Sequence, residues 1–165
     1  MKNFIKLLII FITMSSCSNA QKKEFSKDSM SKKLFTTENK EVTFKEIISK
    51  HAGKTTVIEV WASWCSDCVK AMPKVKEMQA NNPNVNYVFI SMDKTFDKWI
   101  AGIEKHELNG DHYWVSDGMK GEFGKLIDVD WIPRYIILDK TGKIITYRAI
   151  ETDFEQINQT LKNLE

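Results

Sequence analysis

The sequence has few residues of the kinds that bind metals: among 165 residues it contains three cysteines and three histidines. Cys65 and Cys68 form a CxxC pair, but a zinc site built on that pair requires two further ligands. The third cysteine, Cys17, lies close to the N-terminus, and no histidine shows ligand spacing relative to the pair. A c-type haem site requires histidine directly after the second cysteine, and Val69 occupies that position.

The charge pattern argues against a nucleic-acid partner. No run of lysine and arginine stands out, and the formal net charge is only +2. Lys2 and Lys6 lie in a segment that we expect to be removed, so the mature chain is close to neutral. The hydrophobic fraction of 42% and the charged fraction of 28% are those of an ordinary globular protein. The length allows one domain with a substantial core, and no internal repeat is visible.

The N-terminus has the features of an export signal. The apolar run Leu7–Ile12 is too short to span a bilayer and suits the hydrophobic region of a signal peptide. Met14–Cys17 resembles a bacterial lipobox, with Met where Leu is usual. We therefore predict that residues 1–16 are a lipoprotein signal peptide and that Cys17 becomes the lipidated N-terminal residue. Ordinary secretion with cleavage after Ala20 is the alternative.

The next part of the chain, residues 17–33, is rich in Ser, Lys, Asn and Gln and predicts a flexible tether. Residues 34–165 form the predicted folded domain. Either mode of cleavage places that domain outside the cytoplasm, and we expect it on the periplasmic side of a bacterial cell envelope, with the lipid as its only membrane attachment. A dithiol in that compartment needs a dedicated redox partner.

The CxxC pair lies where a strand is predicted to turn into a helix. The apolar stretch Val57–Trp61 precedes it and a helical pattern follows, which places Cys65 at the helix start. Unpaired N–H groups and the positive end of the helix dipole favour a thiolate there, and the thiolate is the nucleophile in disulfide exchange. Cys68, one turn later, can close a disulfide. A purely structural disulfide is the alternative, but so short a loop adds little stability.

The order of predicted elements indicates an α/β fold. Strands and helices alternate in the first two thirds of the chain, and a hairpin and a helix close it. This order predicts a mixed sheet covered by helices on both faces. The predicted strands are Thr55–Trp61, Val85–Met92, Tyr113–Val115, Tyr135–Leu138 and Lys143–Tyr147, and capping boxes at Thr43 and Thr152 open two of the helices.

Four features together resemble the thioredoxin superfamily over residues 34 to 164: Trp64-Cys65-Ser66-Asp67-Cys68, Pro73 five residues later, Glu59 six residues before Cys65, and Ile132-Pro133 before the hairpin. An added helical segment near residues 94–110 and the exported N-terminus look most like membrane-anchored TlpA/ResA-type oxidoreductases. The resemblance implies a thioredoxin fold with an N-terminal extension and a cis Pro133.

The resemblance also implies roles for the site residues. Cys65 would be the nucleophile, Cys68 would resolve the mixed disulfide, and Glu59 would accept the proton of Cys68, since burial raises the pKa of a carboxyl. A solvated position on an edge strand is the alternative for Glu59. Pro133 would shape the substrate groove, and the Ile132 backbone would pair with a peptide.

Neighbouring positions are expected to tune the site. Trp64 would cover the dithiol and contact substrate, Trp61 would lie in the core, and Trp131 would either line the groove or pack. Ser66-Asp67 replaces the commoner Gly-Pro type, and the charge of Asp67 should oppose thiolate formation at Cys65. Arg134 follows Pro133 where thioredoxins usually carry Thr, and it would either select acidic partner segments or be solvated.

The predicted function is that of an enzyme, a thiol-disulfide oxidoreductase acting as a reductase on cell-envelope protein disulfides, with apocytochrome c among the candidate substrates. A membrane thiol-relay donor would keep it reduced, no bound cofactor is needed, and a monomer is expected. A thiol peroxidase on the same fold is one alternative. The lack of a Pro-x-x-x-Thr-x-x-Cys motif counts against it, since positions 58 and 62 are Ile and Ala. A metal-binding chaperone using the CxxC pair is the other.

Overall fold

The computed structural model describes residues 22–165 and contains one mixed sheet with helices on both sides. Its strands are β1 Lys33–Phe35, β2 Glu41–Thr43, β3 Thr56–Trp61, β4 Asn86–Ser91, β5 Asp111–Trp114, β6 Arg134–Leu138 and β7 Ile144–Ala149. Its helices are α1 Lys27–Met30, α2 Phe44–Lys50, α3 Ser66–Asn81, α4 Phe96–His106, α5 Glu122–Leu126 and α6 Phe154–Leu164.

Strand β3 runs through the interior of the sheet, as its apolar sequence predicts. The strand order is β2-β1-β5-β4-β3-β6-β7. β3 pairs with β4 in parallel and with β6 antiparallel, and each of its six residues is buried. A strand with hydrogen-bonded neighbours on both edges and helices on both faces favours apolar residues, which explains Val57, Ile58, Val60 and Trp61 and makes the buried Glu59 an exception. The expected mixed α/β sheet is confirmed.

Two helical layers cover the sheet. The crossovers β3-α3-β4 and β4-α4-β5 step in the same direction along the sheet, so right-handed connections place α3 and α4 on one face. α6 lies beside α3, with Lys74 Nζ 5.8 Å from the centre of the Phe154 ring. On the other face the Phe44 ring packs 4.7 Å from that of Phe25 and 5.1 Å from that of Phe123, which joins α2 and α5.

Of the two capping boxes that the sequence predicts, the structure contains one. At α2 the capping box is complete: Thr43 Oγ1 accepts from Glu46 N at 3.2 Å, and Glu46 Oε2 accepts from Thr43 N at 2.8 Å. The second expected box, at Thr152, is wrong. The residue at the start of α6 is Asp153, and its Oδ2 accepts from Ile150 N at 2.9 Å, so this carboxylate closes the preceding turn.

Residues 22–33, which the sequence analysis assigns to the tether, pack against the domain. Ser26 caps α1 by accepting from Ser29 N, and Ser29 is buried. Lys22 Nζ lies 2.9 Å from Asp128 Oδ2. Phe25 is an apolar residue in this polar segment, and its ring packs against that of Phe44. The folded part therefore includes these residues.

The predicted signal peptide, residues 1–16, and the predicted lipidation site, Cys17, lie outside the described residues. Within residues 22–165, no helix has the length and apolar character needed to cross a membrane.

Candidate active site

The CxxC pair lies at the start of α3 and is joined by a disulfide. Cys65 is the N-cap residue, with extended φ and ψ of −80° and 108°, and Cys68 N donates to Cys65 Sγ at 3.1 Å. The two Cα atoms are 5.3 Å apart. Cys65 is 6% exposed and Cys68 is fully buried. Cys65 is therefore the more accessible residue of the pair, and it lies at the positive end of a 16-residue helix.

A second loop meets the dithiol from the β6 side of the sheet. The Ile132–Pro133 peptide bond is cis, as the resemblance implies. Cys65 Sγ lies 3.5 Å from the Ile132 carbonyl oxygen. Two segments 67 residues apart in sequence are thus brought together at the reactive sulfur. The Ile132 backbone carbonyl therefore lies directly beside the reactive sulfur.

Glu59 is buried in β3, and the alternative of a solvated edge position is wrong because β3 is paired on both sides. It lies directly opposite Tyr135 in β6, so the two side chains share one face of the sheet. The Tyr135 ring packs 5.2 Å from that of Phe154 in α6, which places both on the face covered by α3 and α6. Burial raises the pKa of Glu59 to about 8, and the nearby Tyr135 hydroxyl opposes this.

Two tryptophans are exposed at the site and one is not. Trp64 is 54% exposed and Trp131 is 50% exposed, whereas Trp61 is fully buried, as expected of a core residue. Trp131 borders an open surface cavity of about 350 Å³ together with Arg148 and Ile150. Trp64 directly precedes Cys65 and Trp131 directly precedes Ile132, so both exposed rings can supply contact area for a partner.

Arg134 differs from both expectations, since it is neither solvated nor free to select acidic partners. It is buried, its guanidinium pairs with the Asp130 carboxylate, and its Nη1 donates to the Asp128 carbonyl at 3.4 Å. Successive side chains of a strand point to opposite faces, so Arg134 points away from the face that carries Tyr135. It therefore stabilises the loop before β6 from the far side of the sheet.

The dipeptide between the cysteines lies in the first turn of α3. Ser66 is exposed, and the half-exposed carboxylate of Asp67 lies 3.4 Å from Lys70 Nζ. This exposed pair is weak and screened by salt. The negative charge of Asp67 thus remains close to the start of the helix, where Cys65 lies.

Asp93 is a site residue that sequence reasoning missed. It follows β4 and is fully buried, and its carboxylate accepts from Ser63 N at 3.0 Å, Ser63 Oγ at 2.6 Å and Ser91 Oγ at 2.8 Å. Trp114 Nε1 donates to the Asp93 carbonyl at 2.8 Å. This network holds the segment that leads directly to Trp64 and Cys65. The signal for it was an aspartate directly after a buried strand, at the edge of the sheet where sites form.

Replacing Asp93 with Ala is expected to destabilise the protein by about 3 kcal/mol, because the Ser63 N–H and the Ser63 and Ser91 hydroxyls lose their acceptor. A shift in thermal midpoint of about 6–12 °C would accompany that loss. Calorimetry of the oxidised protein measures it. Asp97, an exposed carboxylate in the first turn of α4, is the matched control, and its Ala variant should change stability by less than about 1 kcal/mol. Equal effects of the two substitutions would contradict a structural role for the network.

No group of three or more His, Cys, Asp or Glu side chains between residues 22 and 165 is placed to hold a metal ion.

Comparison with known proteins identifies the family. A family model of thioredoxin-like proteins matches residues 53–144. The chain is 25% identical over 149 residues to the thiol-disulfide oxidoreductase ResA of Bacillus cereus, covering 89% of this chain and 82% of that protein.

Solved structures show the same fold. A thiol-disulfide oxidoreductase from Bacteroides fragilis superimposes with a TM-score of 0.66 at 24% identity, covering 81% of this chain and 96% of that one. A secreted Mycobacterium tuberculosis disulfide oxidoreductase homologous to E. coli DsbE gives 0.65 at 18% identity, covering 84% and 100%. The chain therefore belongs to the thioredoxin-like family and carries the CxxC disulfide of a ResA-like thiol-disulfide oxidoreductase.

Proposed function

We propose that the protein reduces disulfides of other proteins in the bacterial cell envelope. The observation that carries this proposal is the Cys65–Cys68 disulfide at the start of α3, with Cys65 slightly exposed and Cys68 fully buried. A slightly exposed cysteine at a helix N-terminus can attack, and a buried cysteine 3 residues later can resolve. ResA of Bacillus cereus, a relative over most of both chains, is itself named a thiol-disulfide oxidoreductase.

The reaction begins with the Cys65 thiolate. It attacks one sulfur of the substrate disulfide, a Cys65–substrate bond forms, and the second substrate sulfur leaves as a thiolate that takes up a proton. Cys68 then loses its proton to Glu59 and attacks Cys65 Sγ, which forms the Cys65–Cys68 disulfide and breaks the mixed disulfide. The substrate gains two electrons and two protons, and the protein is oxidised. Because burial raises the pKa of Glu59 to about 8, its carboxyl can both accept and release a proton near neutral pH.

Substrate recognition is assigned to the surface around Cys65. An extended peptide would pair with the backbone at Ile132 beside Pro133, because the Ile132 carbonyl lies next to the sulfur. Trp64 would cover the other side of the peptide, since more than half of its surface is exposed. These contacts are largely to backbone and to aromatic surface, so they suit a range of unfolded or loosely folded protein substrates.

The cellular setting follows from the N-terminal sequence. An export signal with lipidation at Cys17 would hold the domain on the periplasmic side of the envelope, with apocytochrome c among the candidate substrates. A membrane thiol-relay donor would return the two electrons by reducing Cys65–Cys68. The dithiol itself carries the electrons, so the proposed reaction uses no bound cofactor, and a monomer suffices.

The equilibrium reduction potential of the Cys65–Cys68 pair, measured against dithiothreitol or glutathione buffers, tests the direction of electron flow. A value near that of thioredoxin, about −270 mV or lower, supports the reductase. A value near −120 mV, roughly that of a strong oxidant, would overturn it. A pair that shows no reversible couple would favour metal binding over redox chemistry.

Asp67 provides a matched pair of variants for the same measurement. Replacing Asp67 with Asn removes a negative charge near Cys65, stabilises the thiolate, and should raise the potential by about 10–20 mV. Replacing its partner Lys70 with Gln should shift the potential in the opposite direction. An unchanged or lower potential in Asp67→Asn would contradict the proposed tuning.

A further inference from the structure

Several buried side-chain oxygen atoms lack a hydrogen-bond partner among the described residues, and three ionisable side chains are among those that carry them. The atoms of these three are both carboxylate oxygens of Glu59, the hydroxyl of Tyr135, and Oε2 of Glu151. Buried polar groups are normally paired, and an unpaired one calls for a functional explanation. All three of these groups are able to carry a proton.

Glu59 and Tyr135 form a row across the sheet, and Glu151 lies just beyond the end of β7. Glu59 lies opposite Tyr135 across β3 and β6, and Tyr135 lies opposite Ala149 across β6 and β7. Glu151 follows two residues after Ala149, in the turn that leads to α6. The Tyr135 hydroxyl interacts electrostatically with the carboxylates of both Glu59 and Glu151.

Glu59 and Glu151 differ in their access to water. Glu59 is buried, and toward β4 it is flanked by Phe89, which has no ionisable group. Glu151 borders the open surface cavity of about 350 Å³, which is also lined by the exposed charges of Asp130 and Arg148 and by the buried Arg134. The elements packed over Tyr135 contribute the Phe154 ring and, beyond it, Lys74.

We propose that Tyr135 and Glu151 carry the proton that Glu59 takes from Cys68 out to this cavity. The inference rests on the proposed function, and both residues act through Glu59 rather than on the sulfur atoms. As Cys68 attacks Cys65 Sγ, the Cys68 proton moves to Glu59 and the electron pair of the broken bond leaves with the substrate sulfur. The Tyr135 hydroxyl then accepts the proton from Glu59 while it donates its own to Glu151, which releases it to water.

Tyr135 suits this part because it stays neutral. Burial and the two neighbouring carboxylates raise its pKa, so the phenol does not ionise and acts only by exchanging hydrogen bonds. With Glu59 enclosed by β4 on one side, the row through Tyr135 links it to the surface.

The resolving step can be measured directly with 5,5′-dithiobis(2-nitrobenzoate), a small disulfide. Mixed with the reduced protein, it releases one nitrothiobenzoate when Cys65 attacks and a second when Cys68 resolves. Tyr135→Phe and Glu151→Gln should each slow the second phase by about 10-fold near neutral pH and leave the first phase unchanged. Imidazole should restore the rate of the second phase in Glu151→Gln, since an added base can accept the proton in place of the Glu151 carboxylate. The double variant should be no slower than Tyr135→Phe alone, because the two residues act in series.

Controls separate the relay from the proposed function. Tyr87→Phe removes a hydroxyl that donates to the Met78 carbonyl at 3.2 Å, away from the row, and should leave both phases and their pH profiles unchanged. If Glu59→Gln is slow while Tyr135→Phe and Glu151→Gln keep the rate and pH profile of the unmodified protein, the relay is overturned and the role of Glu59 stands. Absence of any first phase in the unmodified protein would instead overturn the proposed function.

Discussion

Replacing Cys68 with Ser should stop the reaction at the mixed disulfide, and replacing Cys65 with Ser should prevent that intermediate from forming. The two cysteines differ in access, since Cys65 is 6% exposed and Cys68 is fully buried. Cys65 also lies at the helix start, where the thiolate is favoured. Attack on a substrate therefore belongs to Cys65, and resolution belongs to Cys68.

Both variants should lack measurable turnover, and they should be distinguished by what they retain. After incubation with insulin, a disulfide-containing protein probe, Cys68→Ser should carry a covalent adduct on Cys65 that dithiothreitol removes. Non-reducing electrophoresis and mass spectrometry identify the adduct and its site. Cys65→Ser should carry none. An adduct of equal yield in Cys65→Ser would reverse the assignment of the two cysteines.

The central part of the site was accessible from the sequence because its determinants are local. An apolar run predicts β3, and a cysteine directly before a helical pattern predicts an N-cap position. Those two rules place Cys65, and the resemblance adds the cis Pro133 and a buried Glu59, all of which the structure contains. Each of these features is carried by the identity of one or two residues in a short window.

Features that depend on contacts between distant segments were not accessible. The Asp93 carboxylate holds Ser63, 30 residues away, and nothing in either local pattern indicates that pairing. The sequence suggests a role for Arg134 only through its position after Pro133. Its surroundings depend instead on strand alternation, which turns its side chain toward Asp130. The side a strand residue faces depends on register, and register is a property of the assembled sheet.

The polar composition of residues 22–33 predicts a flexible tether, but these residues pack against the domain. A segment with so many polar residues predicts a tether, because too little apolar surface is available to offset the entropy of ordering it. Residues 22–33 are ordered through a few specific contacts, of which the Phe25 ring against Phe44 and the Lys22–Asp128 ion pair are examples. The average composition of a segment does not indicate contacts made by one or two of its residues.

Replacing Glu59 with Gln should stabilise the oxidised protein, increasingly so as the pH rises. The pKa of Glu59 is about 8 in the folded protein and 4.5 in a solvated chain. Between these values the unfolded chain has already lost its proton while the folded protein retains it, so stability falls with rising pH and levels off above pH 8. Gln fills nearly the same space and cannot ionise. The gain over the unmodified protein should therefore be about 1 kcal/mol at pH 5 and about 5 kcal/mol at pH 9.

Guanidinium unfolding of the oxidised protein at pH 5, 7 and 9 measures this gain. Glu46→Gln is the matched control with the opposite sign, since hydrogen bonds from Thr43 lower the pKa of Glu46. Glu46→Gln should be less stable than the unmodified protein above the pKa that Glu46 has in the unfolded chain. The two proteins should be equally stable only at lower pH. A gain in Glu59→Gln that does not change with pH would mean that Glu59 is ionised at neutral pH. It would then be available as a base but unable to hold the proton of Cys68, and the proton-transfer step would have to end on another group.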